Sequence, residues 1–242
     1  MVLSARRPGR AGRRPPWRGF ARLLAGPTLV LLGAAPGMPL QARPPGGLIR
    51  GRVELRREPP SPELRPAVSE LGAHGSREAP DRRRCVVYLE SAPQAAFEAP
   101  APRRAQLDQR NESFVPSVLA VTVGSTVDFP NSDRTYHNVF SLSKAKRFDL
   151  GRYPRGQMRS VLFDRPGVVR VFCEIHSHMS AWILVFAHPF FAVTDADGRY
   201  RIEGVPPGSY TLAVWHEGAV RARRELRVGA EGDAIEADLV VD

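Results

Sequence analysis

This sequence has little with which to crosslink itself. Two cysteines in 242 residues, Cys85 and Cys173, exclude a disulfide-stapled scaffold and a four-cysteine zinc ribbon. Lysine is nearly absent, with only Lys144 and Lys146, so the net charge of +10 is carried by arginine. Seven of those charges lie in residues 1–42, which contain no acid, and only three are left for the other 200 residues. A body so weakly basic removes the case for nucleic acid as a partner. Long helices are disfavoured by 23 prolines and 21 glycines, a composition that suits short strands joined by turns. The apolar stretch Leu23–Ala35 is interrupted by Gly26 and Pro27 and is too short to span a membrane. A wholly disordered chain is excluded by 43% hydrophobic and 25% charged residues.

Residues 1–42 read as a signal peptide: a basic start, an apolar stretch, then small residues offering cleavage after Ala35 or Ala42. Arg13-Arg14 points to twin-arginine export, but Pro15-Pro16 follow, which favours the Sec route. The expectation is a periplasmic or secreted protein with no membrane span in the mature chain, working in an oxidising compartment. A basic disordered tail is the alternative.

The mature chain divides into three stretches. Residues 43–110 hold two strand candidates, Leu48–Leu55 with Ile49, Gly51, Val53 and Leu55 on one face, and Cys85–Leu89. Between and after them, residues 56–84 and 91–105 read as loops, with one helical turn around Pro66–Leu71. Residues 111–187 carry the strongest strand signals. Leu119, Val121 and Val123 alternate, Gly124-Ser125 turns, and Thr126–Phe129 continues until Pro130. Two further strands, Ser160–Phe163 and Gly167–Phe172, flank a turn, and the continuous apolar run Trp182–Phe186 fits a strand buried on both faces. Residues 188–242 form another strand-rich unit. Its Asp195-Ala196-Asp197-Gly198 reads as a hairpin turn. A calcium loop starting at Asp195 would need Gly and Glu where Tyr200 and Pro206 stand. The fold class expected is all-β, an antiparallel sandwich or barrel.

The chemistry is concentrated in Phe172-Cys173-Glu174-Ile175-His176-Ser177-His178-Met179. A strand delivers Cys173 to its end, and a tight loop can aim Cys173, His176 and Met179 at one point. A second imidazole comes from His137, read as a loop residue 36 positions earlier. Two nitrogens, a thiolate and a weak thioether make the trigonal set of a blue-copper electron-transfer site.

These residues resemble the cupredoxins of the plastocyanin–amicyanin group over about residues 111–186. The match runs through Phe114-x-Pro116, Val121-x-Val123-Gly124-x-x-Val127-x-Phe129, Asn131, His137-Asn138, Gly167 and Phe172-Cys173-x-x-His176-x-x-Met179. The short Cys-to-Met loop has the amicyanin spacing. The resemblance implies a Greek-key sandwich and one mononuclear copper site, with His137, Cys173 and His176 as strong ligands and Met179 as axial ligand. Asn138 would tie the His137 segment to the cysteine loop. It also implies an electron carrier that meets a periplasmic redox protein. Val193–Leu212, with Gly208-x-Tyr210-Thr211-Leu212, resembles the carboxypeptidase-regulatory-like modules, small transthyretin-like β-sandwiches. The strands near Gly51 and Val87 could complete that module across the chain, or belong to the cupredoxin sheet.

Several readings stay open. Cys85 and Cys173 could form a disulfide, leaving a metal-free β-sandwich interaction module. His178 could replace Met179 as a ligand. The copper could be carried or sensed without redox cycling. No nucleophile–base pair or paired carboxylates stand in a recognisable setting, so the chain is not expected to be an enzyme.

Overall fold

The computed structural model describes residues 46–56, 84–92, 103–229, 232 and 234–242. The leader expected at 1–42, the helical turn expected at Pro66–Leu71, and most of the loop expected at 91–105 lie outside them. The described residues are all-β. In chain order the strands are β1 (Gly47–Leu55), β2 (Val86–Leu89), β3 (Arg104–Gln106), β4 (Asp108–Arg110), β5 (Ser113–Val115), β6 (Val118–Thr122), β7 (Ser125–Pro130), β8 (His137–Leu142) and β9 (Arg147–Tyr153). They continue as β10 (Met158–Phe163), β11 (Gly167–Phe172), β12 (Ser180–Phe186), β13 (Phe191–Val193), β14 (Arg199–Val205), β15 (Gly208–His216), β16 (Ala219–Val228), β17 (Ala234–Glu236) and β18 (Leu239–Val241).

Strands β3 to β12 build one sandwich. Its sheets run β10-β7-β3 and β6-β12-β11-β8-β9, with β4 and β5 as a small separate hairpin. Period-two alternation sends Val169 and Val171 of β11, and Ala181, Ile183 and Val185 of β12, into a core with Phe114, Phe129, Tyr153 and Phe163. This sandwich starts at β3, ahead of residue 111, because Arg104–Gln106 pairs in parallel with Thr126–Asp128 of β7. The Arg104 guanidinium fastens it by donating from both Nε (3.0 Å) and a terminal nitrogen (2.6 Å) to the Asp128 carboxylate.

The other sandwich is made from both ends of the chain. β1 lies between β14, antiparallel, and β17 and β18, parallel. β2 lies between β13 and β15, and β16 closes that sheet. Ile49, Val53, Val87, Leu89, Ile202, Leu212 and Val214 meet in its core. Tyr88 of β2 sits opposite Phe191 of β13 in an antiparallel pair. The chain therefore leaves this terminal sandwich after β2, builds the whole inserted sandwich, and re-enters beside the point it left. The Asp195–Gly198 turn is tight, with Gly198 N–H donating to the Asp195 carbonyl at 3.1 Å. It does not make a hairpin ladder, because β13 has been taken by β2 and β14 by β1, so the chain crosses there from one sheet to the other.

The two sandwiches share a wall. One face of β12 serves the inserted core, while Trp182, Leu184 and Phe186 face the other way and meet Val86, Val118, Tyr88 and Trp215. Trp182 and Trp215 stack edge to face at 5.3 Å. Gly218 lies over the same ring: a Cβ there would stand 3.3 Å from Trp182, and its φ of +92° suits glycine alone. The unbroken apolar run of β12 follows from this two-sided burial.

Close packing around β1 gives a test of the shared construction. A Cβ on Gly51 would stand 2.4 Å from the Ala237 carbonyl oxygen, which is backbone and cannot swing aside. Gly51→Ala is expected to destabilise the terminal sandwich by about 1–3 kcal/mol, read as a lower midpoint in denaturant unfolding. Residues 188–242 produced alone, without β1 and β2, should give a collapsed, undispersed NMR spectrum. A well-dispersed spectrum from that fragment would refute the two-ended construction.

Candidate metal centre

The site forms where three structural devices meet. β11 ends at Phe172 and hands Cys173 into a short loop. That loop is closed at both ends: the Cys173 N–H donates to the Met179 carbonyl at 3.2 Å, and the Met179 N–H donates to the His176 carbonyl at 3.0 Å. β8 begins at His137, which pairs with Tyr153 of β9. His137 is thus a strand residue, not the loop residue expected from sequence; the β9 ladder partner that makes it so lies 16 positions away.

Three donor atoms converge. Sγ of Cys173 lies 3.8 Å from Nδ1 of His137 and 3.9 Å from Nδ1 of His176, and the two Nδ1 atoms are 3.0 Å apart. His137 and Cys173 are buried and His176 is half-buried. A trigonal first-row ion with metal–nitrogen bonds of about 2.0–2.1 Å and a metal–sulfur bond of about 2.3 Å needs edges of about 3.5 and 3.8 Å. The two sulfur edges match, and the nitrogen edge would open by about half an ångström. The donor set fits a copper ion, and no other cluster of three such groups occurs among the described residues. Met179 is 1% exposed and packs in the same core as Cys173.

Asn138 links the two halves. Its Oδ1 accepts the Glu174 N–H at 2.7 Å, and its Nδ2 donates to Asp149 at 3.1 Å. The side chain thus holds the residue after Cys173 against the residue after His137.

One neighbour was not foreseen. Asp133 Oδ2 lies 2.9 Å from His137 Nε2, on the side of the ring away from Cys173. Asn131-x-Asp133-x-Thr135 reads in sequence as turn chemistry, and only the Asn131 side chain's hold on this loop brings the carboxylate round. Burial works against charge on Asp133, but the N–H groups of Glu112 and Arg134 and the His137 ring hold its pKa below the ordinary value.

His178 is exposed, 3.4 Å from Glu112, and its ring stands 6.0 Å from that of His176. Neither cysteine is in a disulfide. They lie in different cores, Cys173 in the inserted sandwich and Cys85 in the terminal one, so the Cys85–Cys173 bridge considered above is not formed. Cys85 instead meets His216 Nδ1 at 3.5 Å.

Residues 184–241 match the carboxypeptidase regulatory-like domain family. That span begins inside β12 and does not include β1 or β2. No curated protein matches the chain. Similar solved structures include a copper-containing nitrite reductase from Thermus scotoductus, at 26% identity and a TM-score of 0.33, covering 36% of this chain and 23% of that one. They include a purple cupredoxin from Nitrosopumilus maritimus, at 24% identity and 0.31, covering 34% and 98%. A mutant of amicyanin in its Cu(I) form matches at 22% and 0.32, covering 41% and 97%. The chain spans under a quarter of the nitrite reductase's length. Among the described residues no helix is long and apolar enough to cross a membrane.

The thiols should separate in reactivity. Burial pushes the Cys173 thiol up, but hydrogen bonds from His137, the Asn138 and His176 backbone and the His176 ring outweigh it and lower the pKa to about 6. Burial raises that of Cys85 to about 12, with Glu217 adding to it. In metal-free protein, alkylation of Cys173 should lose rate as pH falls through about 6, while Cys85 stays unmodified until the protein unfolds. Mass spectrometry of the modified peptides across pH 5–9 measures this. Equal labelling of both cysteines at neutral pH would contradict the assignment.

Proposed function

We propose that this protein is an exported single-electron carrier in which His137, Cys173 and His176 would hold one copper ion, with Met179 as a fourth, weak donor. The observation that carries this reading is the convergence of one Sγ and two Nδ1 atoms in a pocket whose loop is braced at both ends. Copper supplies the one-electron step, since a nitrogen and soft-sulfur set accommodates both of its oxidation states.

The chain's own residues do the rest. The ties through Asn138 and the Cys173–Met179 backbone bonds keep the donors in place, so little rearrangement accompanies a change of charge. Val139, Val171, Ala181 and Phe114 bury the site from one side and exclude water. The half-buried His176, next to the exposed Ile175, offers an edge at the surface for a partner redox protein in the periplasm or outside the cell. Contacts of that kind are small and transient. With Met179 as fourth donor no position is left for a substrate, so the protein acts as a carrier and not as an enzyme.

A second reading is a copper carrier or sensor that does not cycle its metal. The exposed His178 beside His176 favours it, as a further nitrogen donor at the mouth of the site.

The absorption spectrum after Cu(II) addition decides between them. The electron-carrier reading expects an intense thiolate band near ~600 nm that disappears in Cys173→Ser and bleaches reversibly with a mild reductant, the copper staying bound. A weak band indifferent to Cys173→Ser would overturn it, and copper lost on reduction would favour the carrier.

A further inference from the structure

His137 is gripped from behind as well as aimed forward. Nε2 faces Asp133 Oδ2 at 2.9 Å and Thr135 Oγ1 at 3.2 Å. The Asp133 carboxylate is itself fixed. Oδ2 accepts the Glu112 N–H at 2.7 Å, and the Asp133 N–H donates to Asn131 Oδ1 at 2.9 Å. Asn131, 1% exposed, donates from Nδ2 to the carbonyls of Thr135 and Tyr153, each at 3.0 Å. A buried amide thus anchors the loop to β9, and the loop presents a carboxylate to a ring that is itself wholly buried.

An imidazole nitrogen that faces a carboxylate acts as donor and carries the proton, which leaves the lone pair on the other nitrogen. Here the other nitrogen is Nδ1, the atom turned toward Cys173 and His176. We propose that Asp133 is a positioning residue for the metal centre: it holds His137 with the proton on Nε2, and its negative charge strengthens His137 as a ligand and favours the more highly charged ion. This rests on the copper reading above. Partners of this kind, placed behind a ligating histidine, fix ring orientation and raise ligand basicity.

Two variants separate charge from orientation. Asp133→Asn keeps an oxygen that can accept from Nε2–H but removes the charge. Asp133→Ala removes both. Affinities for Cu(I) and Cu(II) are measured by chelator competition on the full-length protein, with the reduction potential by spectroelectrochemistry. Asp133→Asn is expected to lower Cu(II) affinity by about 10–100-fold and Cu(I) affinity by less, so that the potential moves upward. Asp133→Ala should weaken both ions further. A role confined to holding the loop together would lower both affinities equally and leave the potential where it was; that result, or no change in Asp133→Asn, overturns the proposal. If the unmodified protein binds copper without the ~600 nm band, the electron-carrier reading fails and the affinity comparison still decides this one. If it binds neither ion, both fail.

Discussion

Everything in the described fold hangs on β12 being apolar on both faces. One face, through Ala181, Ile183 and Val185, closes the core beneath the donor cluster. The other, through Trp182, Leu184 and Phe186, is the floor on which the terminal sandwich rests. Replacing either set by polar residues would leave unpaired groups inside a packed interface, where each costs ~1–3 kcal/mol. The strand is held in register by β11 on one side and β6 on the other. Since β11 also delivers Cys173, the position of the thiol is coupled through a single strand pair to the seam between the two sandwiches.

The same economy governs the site. Three donors that point at one another without a metal would be driven apart by buried lone pairs unless something holds them. Here the holding is done by side-chain amides and a carboxylate acting on backbone and ring atoms. Asn138 clamps the β8 end to the cysteine loop, Asn131 clamps the preceding loop to β9, and Asp133 takes up the back of His137. Below them Gln109 donates to the Tyr153 hydroxyl at 2.6 Å, which donates on to the Phe129 carbonyl at 2.9 Å. These two hydrogen bonds tie the ends of β7 and β9 together beneath the site.

What could be read from the sequence follows the range over which each signal acts. Strands with one dry face announce themselves by alternation, and β1 and β6 are legible for that reason, while β7, β10 and β11 are legible as short apolar segments bounded by turns. The spacing of Cys173, His176 and Met179 is local, so the loop was legible too. β9 and β16 were not: β9 reads Arg-Phe-Asp-Leu-Gly-Arg-Tyr, and β16 carries Arg221, Arg223, Arg224 and Arg227 on an edge of its sheet. Charged edge strands trade the hydrophobic pattern for protection against mispairing. β17 and β18 are too short to show a period. Asp133 escaped for a different reason. Its role depends on a loop folding back by way of Asn131, and a turn-forming residue looks the same whether its carboxylate faces water or a ligand.

The insertion explains why the terminal sandwich looks incomplete when the chain is read in order. Its match to the carboxypeptidase regulatory-like family covers 184–241, while β1 and β2, which pair with β14, β13 and β15, come before the inserted sandwich. Joining β2 to β13 directly would need only a hairpin turn, since Tyr88 and Phe191 are cross-strand partners. An insertion between neighbouring antiparallel strands is tolerable because its two ends already lie side by side. A loop of this length left unfolded would still have to be closed at an entropic cost that grows with the logarithm of its length. Folded, it brings its own ends together, and the Trp182–Trp215 contact then fixes its orientation on the terminal sandwich. The seam is thus more than a tether: the residues that make β12 a wall for the metal-binding core also turn a long insertion into a rigidly docked one.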